Sequence, residues 1–187
     1  MNEARERVLA NIRAALNRKG PLAESVAAVL KARLEKPRAN VKPAVNGEAV
    51  ERFVSKVEAV HGAVIRVSAL DKVSEAVEAH LQEHGLSPDL VVAPDPALEQ
   101  IPWSNRFAIE RRAASGDDRV SVTGAFAGIA ETGTLVLLSG PQSPTTLNFL
   151  PDDHIVVLRS DRIVTHVEDA WARLRKERGK MPRSVTF

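Results

Sequence analysis

The sequence predicts an α/β domain, an open parallel or mixed sheet flanked by helices, preceded by a helical arm. Three observations carry this. From Glu48 onward, segments of helical period alternate with short aliphatic runs, the order expected of strands joined through helices. Those runs, such as DLVVAP, TLVLL and HIVVLR, are continuously apolar, as in strands buried on both faces. Ahead of them lies a stretch rich in proline, asparagine and glycine, Pro37 to Gly47, which reads as a linker.

The elements follow in order. Val8, Leu9, Ile12, Ala15 and Leu16 recur at helical spacing and predict a helix to about Lys19, stopped by Gly20-Pro21. Pro21 is suited to open a second helix with the stripe Leu22, Val26, Val29, Leu30 and Leu34. Residues 1–46 are thus an arm and linker, and residues 47–187 the main domain. Val50, Phe53, Val54 and Val57 predict a helix, and AVIRV at 63–67 a strand. Asp71 is placed to cap a helix carrying Val73, Val77 and Leu81, ended by Gly85, with a strand in DLVVAP at 89–94. Residues 95–119 read as irregular, broken by Pro96 and Pro102. Strands are then expected in RVSVT (119–123), TLVLL (134–138) and HIVVLR (154–159), and a helix from Val167 to about Arg178.

Composition narrows the function classes. With 44% hydrophobic and 27% charged residues the chain is neither a disordered nor a fibrous sequence. Cysteine is absent, which excludes disulfides, thiolate catalysis, a Cys-ligated zinc and a Cys-ligated iron–sulfur cluster within these 187 residues. No run approaches the roughly 20 apolar residues of a membrane span, and the charged start MNEARERVLANIRAALNRKG lacks a signal-peptide core, so a cytoplasmic protein is expected. The net charge of +2 divides into +5 over residues 1–60 and −3 over 61–187. In the basic front, acids and helix-period aliphatics are interleaved with the cations and aromatics are scarce, which disfavours nucleic acid as a partner. An amphipathic arm of this kind packs on its own domain or joins two copies into a homo-oligomer.

The segment TGAFAGIAETGTLVLLSG, 123–140, concentrates small and polar residues between two strands. Gly124, Gly128 and Gly133 permit close backbone approach or positive φ, Thr123, Thr132 and Thr134 offer hydroxyls, and a turn of exposed amides there would hold a phosphate or carboxylate. Neither a dinucleotide fingerprint nor a P-loop is present. The competing reading is a tight turn in which glycine serves packing. Glu131 is the carboxylate of this turn. It is a candidate general base, metal ligand or nucleophile, and alternatively the acceptor that fixes the turn. His154, after Asp152 and Asp153, reads as an acid/base group or as a strand anchor bonded to a backbone carbonyl. No second histidine stands at ligand spacing to it, and no metal site is expected. His80 and His84 stand at i, i+4 without an H-E-x-x-H pattern, and with His61 and His166 read as surface groups. Arg106, in the irregular region with Trp103 and Asn105, is a candidate to bind a carboxylate bidentately.

The runs AGIAETGTLVL and FLPDDHIVVLRSDRIV closely resemble the signature of the lactate-utilisation protein C family, or LUD domain, over residues 120–172. The resemblance implies the fold of the sugar-phosphate isomerase and CoA-transferase superfamily, with ligand sites at strand ends. It also implies a non-redox part in the oxidation of L-lactate to pyruvate. The partners would be iron–sulfur subunits that carry all the clusters, and a small anionic metabolite. An independent CoA-transferase-like or isomerase-like enzyme using Glu131, or a lactate-responsive regulator, are the alternatives. Two departures stand out. The loop SGPQSPTTLNFLP has no Arg or Lys between Gly140 and Pro151, so an anion there would rest on amides, Ser143, Thr145 and Thr146. The family's following glycine-rich block is absent after MPRSVTF, so the resemblance implies a domain cut short at its C-terminal end.

Overall fold

In a computed structural model the described residues are 2–17, 20–35 and 41–187. The chain forms two compact units, Met1–Val41 and Lys42–Phe187. The first unit holds α1 (Asn2–Ala15) and α2 (Glu24–Glu35), and no residue of α2 is buried. α1 is shorter than its apolar spacing predicts, because Asn17 adopts a left-handed φ of 51° that turns the chain out of the helix before Gly20. Part of the expected extension, at 18–19, and part of the expected linker, at 36–40, lie outside the described residues. α2 begins three residues after Pro21, so Pro21 does not open it.

The second unit begins with α3 (Ala49–Glu58), whose Phe53 is buried. The predicted strand at 63–67 does not form. Ile65 and Val67 are 55% and 41% exposed, and no strand pairs with them. A β-branched run becomes a strand only where a neighbour accepts its ladder, and none pairs with this one. Asp71 also departs from expectation. It lies in a 3-10 turn (Leu70–Lys72) and makes no side-chain cap to α4 (Val73–His84). Gly85 ends α4 as predicted, at φ 65°, with its N–H on Leu81 and Gln82 carbonyls.

Four parallel strands follow: β1 (Asp89–Val92), β2 (Ala108–Arg111), β3 (Val120–Gly124) and β6 (Asp153–Val157), in the spatial order β2-β1-β3-β6. The segment read as irregular contains β2 and a short helix, α5 (Pro96–Glu99), capped by Asp95 accepting from the Ala97 N–H at 2.9 Å. Val92, Val122 and Leu147 are wholly buried in the core of this sheet, with Leu81 and Leu98. A smaller mixed sheet, ordered β7-β4-β5-β8, comprises β4 (Ala127–Ile129), β5 (Thr134–Leu138), β7 (Ile163–Val164) and β8 (Val185–Thr186). β4 runs antiparallel to β5 and parallel to β7, while β8 pairs antiparallel with β5. α6 (Val167–Glu177) closes this sheet through Ala170, against Ala127, Ile129 and Val136. Among the described residues no helix is long and apolar enough to cross a membrane.

Candidate functional site

The glycine-rich segment divides between the two sheets. Thr123 and Gly124 end β3, whereas Gly128 lies in β4 and Glu131, Thr132 and Gly133 form the turn from β4 into Thr134 of β5. The turn's amides do not converge. The Ala130 N–H donates to the Val164 carbonyl at 2.8 Å, that of Glu131 to Thr165 at 3.0 Å, and that of Gly133 to Ile129 at 2.8 Å. The expected anion nest of backbone donors is therefore corrected: these three donors knit the turn to β7 and to itself. The glycines answer to α3. A Cβ on Gly128 would stand 2.9 Å from a ring carbon of Phe53, and one on Gly133 2.6 Å from Lys56 Cβ at a φ of +74°. Helix packing and the turn's left-handed residue thus require them. A Cβ on Gly124 would stand 3.1 Å from Asp95 Oδ2, at the ends of β3 and β1.

What the turn does present is a paired carboxylate. Glu131 Oε2 lies 3.2 Å from His166 Nδ1, with the two side chains 25% and 12% exposed. The geometry follows from register. β4 and β7 run parallel with Ile129 opposite Val164, and the same ladder continues through the Glu131 N–H to Thr165, which sets Glu131 beside His166. The imidazole is thereby held against the turn at the start of α6, where it also belongs to a capping box with Asp169. His166 is the N-cap of α6, and its own N–H donates to Asp169 Oδ2 at 3.2 Å. Asp169 is paired with Lys42, whose ammonium holds that carboxyl below the usual range. Thr132 and Thr134 share a hydroxyl hydrogen bond of 2.7 Å on the exposed side of the turn. His166, read from the sequence as a surface group, is the residue that reading missed; its signal lay in the IV dipeptide before it, which takes the strand position next to β4.

The remaining candidates have other employment. His154 Nε2 meets Thr123 Oγ1 at 2.7 Å, with Thr123 fully buried, and burial pushes the imidazole below its ordinary pKa. The anchor is thus a side-chain hydroxyl instead of the expected backbone carbonyl. Ser121 donates to the Leu147 carbonyl at 2.7 Å, and Leu147 is buried against the same sheet. The loop at 139–151 is accordingly fastened down. Ser143 and Gly140 exchange backbone hydrogen bonds, Thr145 opens a 3-10 turn, and Thr146 Oγ1 accepts from the Ala114 N–H at 3.1 Å. Arg106 is committed to Glu78 of α4 beside a cleft of about 210 Å³ floored by Leu81, Leu86 and Phe107, which no other candidate lines. His80 and His84 pack with ring centroids 4.5 Å apart and planes tilted by 53°, and among the described residues no group of three or more acidic or histidine side chains is placed to hold a metal.

Comparison with known proteins fits this geometry. The LUD domain matches residues 27–187. A crystal structure of a DUF162 family protein from Deinococcus radiodurans is similar, with a TM-score of 0.58 and 23% identity over 77% of this chain and 88% of that one, a likeness that shows the fold. No curated protein matches. The α/β architecture, the glycine-rich hairpin and the matched residues together place the chain in the LUD-domain family, a family associated with lactate utilisation.

Proposed function

We propose that this chain is the non-redox component of a cytoplasmic L-lactate utilisation system, in which iron–sulfur partner proteins carry out the oxidation to pyruvate and this subunit holds a small anionic metabolite at the β4–β5 turn. The observation that carries the reading is the half-buried Glu131–His166 pair, which lies within the residues matched by the LUD domain. A partly exposed carboxylate–imidazole pair offers both donor and acceptor capacity to the hydroxyl or carbonyl of a hydroxy or oxo acid. The absence of cysteine in these 187 residues supports the division of labour, since thiolate-held clusters then reside in the partners. The test is co-purification from the native host together with growth on L-lactate. Recovery of two cysteine-rich proteins with this chain, and loss of growth on deletion, are the expected results. A chain that purifies alone and a deletion strain that still grows on lactate overturn the reading.

The same pair favours one second reading, an independent enzyme of the CoA-transferase type in which Glu131 deprotonates or attacks an acyl substrate. That reading requires turnover by the isolated protein and its collapse in Glu131→Gln with folding intact, whereas the first requires none.

A further inference from the structure

Three of the four amides of the turn at Ala130–Gly133 are spent on backbone carbonyls, and the adjoining loop from Gly140 to Pro151 has no Lys or Arg, so an anion held there needs cations from another element. α3 supplies them. Lys56 lies against the turn so closely that a Cβ on Gly133 would meet its Cβ at 2.6 Å and its carbonyl carbon at 2.9 Å. Arg52 stands one helical turn earlier, at i−4, so both side chains leave the same face of α3, with Cβ atoms about 6 Å apart. Among the described residues neither side chain forms a hydrogen bond or an ion pair, and Arg52 Nε is buried with no partner. A buried donor without an acceptor is destabilising and rare in native proteins, and a guanidinium so placed is suited to a carboxylate.

We propose that Arg52 and Lys56 form the cationic half of an anion site over the β4–β5 turn, with the Thr132 and Thr134 hydroxyls at its rim and the Glu131–His166 pair facing the rest of the ligand. The inference rests on the ligand-binding reading above and gives its site a chemistry. The ligand is a small monocarboxylate. Two cationic side chains rooted one helical turn apart can both reach a single carboxylate group, and the negative Glu131 disfavours a doubly charged phosphate in the same place. Orientation follows: the carboxylate lies toward α3 and the substituent on the adjacent carbon toward the Glu131–His166 pair.

The experiment is isothermal titration of the full chain with L-lactate, pyruvate and inorganic phosphate, with circular dichroism melts of each variant. The wild type is expected to bind a carboxylate more tightly than phosphate. Lys56→Glu and Arg52→Gln are each expected to weaken that binding about tenfold or more with the melt unchanged, and Lys56→Arg to stay within about threefold. Carboxylate binding that survives both Lys56→Glu and Arg52→Gln within twofold, yet falls in Glu131→Gln, overturns the cationic site and leaves the ligand-binding reading standing. Phosphate bound more tightly than either carboxylate overturns the assigned ligand class. A wild type that binds none of the three probes overturns both.

Discussion

Two polar pairs lie within one stretch of LUD signature, and they have opposite characters. In the parallel sheet Thr123 and His154 face each other across adjacent strands, one fully buried and the other kept neutral by its surroundings. At the rim of the mixed sheet Glu131 and His166 are a carboxylate and an imidazole with part of each in solvent. Burial decides the difference. A neutral hydroxyl–imidazole contact meets its hydrogen-bonding needs inside a sheet layer, whereas a carboxylate kept there without full pairing is costly. Resemblance to the signature alone therefore does not identify a site: one pair is enclosed in the fold, and the other is partly in solvent.

This contrast is broken or sharpened by substitution. The largest effect is expected at Gly133, whose φ of +74° and contact with Lys56 Cβ both resist a side chain. Gly133→Val is expected to destabilise by about 3 kcal/mol through strain and overpacking, measured by urea denaturation. A loss below 1 kcal/mol would show that α3 is free to move away from the turn. Next is Thr123→Val, which removes the hydroxyl from His154 and is expected to lower stability by about 1–2 kcal/mol, while Glu131→Gln, at the exposed pair, stays within about 1 kcal/mol. Equal losses would erase the distinction between the two pairs.

His154 gives a pH signature. Its folded pKa is below the unfolded value, so between those values the unfolded chain binds more protons and stability falls as pH falls from about 6.5 toward the folded pKa. His154→Gln is expected to flatten the stability profile in that window, as followed by melts at stepped pH, and an unchanged slope would refute the assignment. The smallest effect belongs to Lys42→Met. Its partner Asp169 has a lowered pKa, so the pair's contribution is present above about pH 4 and disappears as pH falls through the folded value. With both side chains more than a third exposed, solvent screening limits the loss to about 0.5 kcal/mol, vanishing in high salt.

The legibility of the molecule followed the same division between buried and marginal positions. DLVV became a strand buried at Leu90, Val91 and Val92, whereas TLVLL became one buried only at Val136 and Leu137. AVIRV has the same composition and stays unpaired, while AIER, with charged residues in its second half, pairs beside β1. Partner availability is a tertiary fact that no five-residue window contains. At the site, Glu131 was visible in its glycine setting, but His166 is 35 residues away and meets it through a two-residue strand too short to show a period. Gly128 and Gly133 were legible as places needing close approach; that the approaching group is α3 was not.

Leu147 carries a mechanical consequence. Its side chain fills the larger core and its carbonyl receives the Ser121 hydroxyl, so the connection between β5 and β6 is riveted at its midpoint. Lifting it would strip a leucine from the interior and orphan a hydroxyl, together several kcal/mol. The segment is therefore pinned at its centre while its flanks stay at the surface, and the Leu147 amide proton is expected to exchange more slowly than those of exposed Phe149 and Leu150.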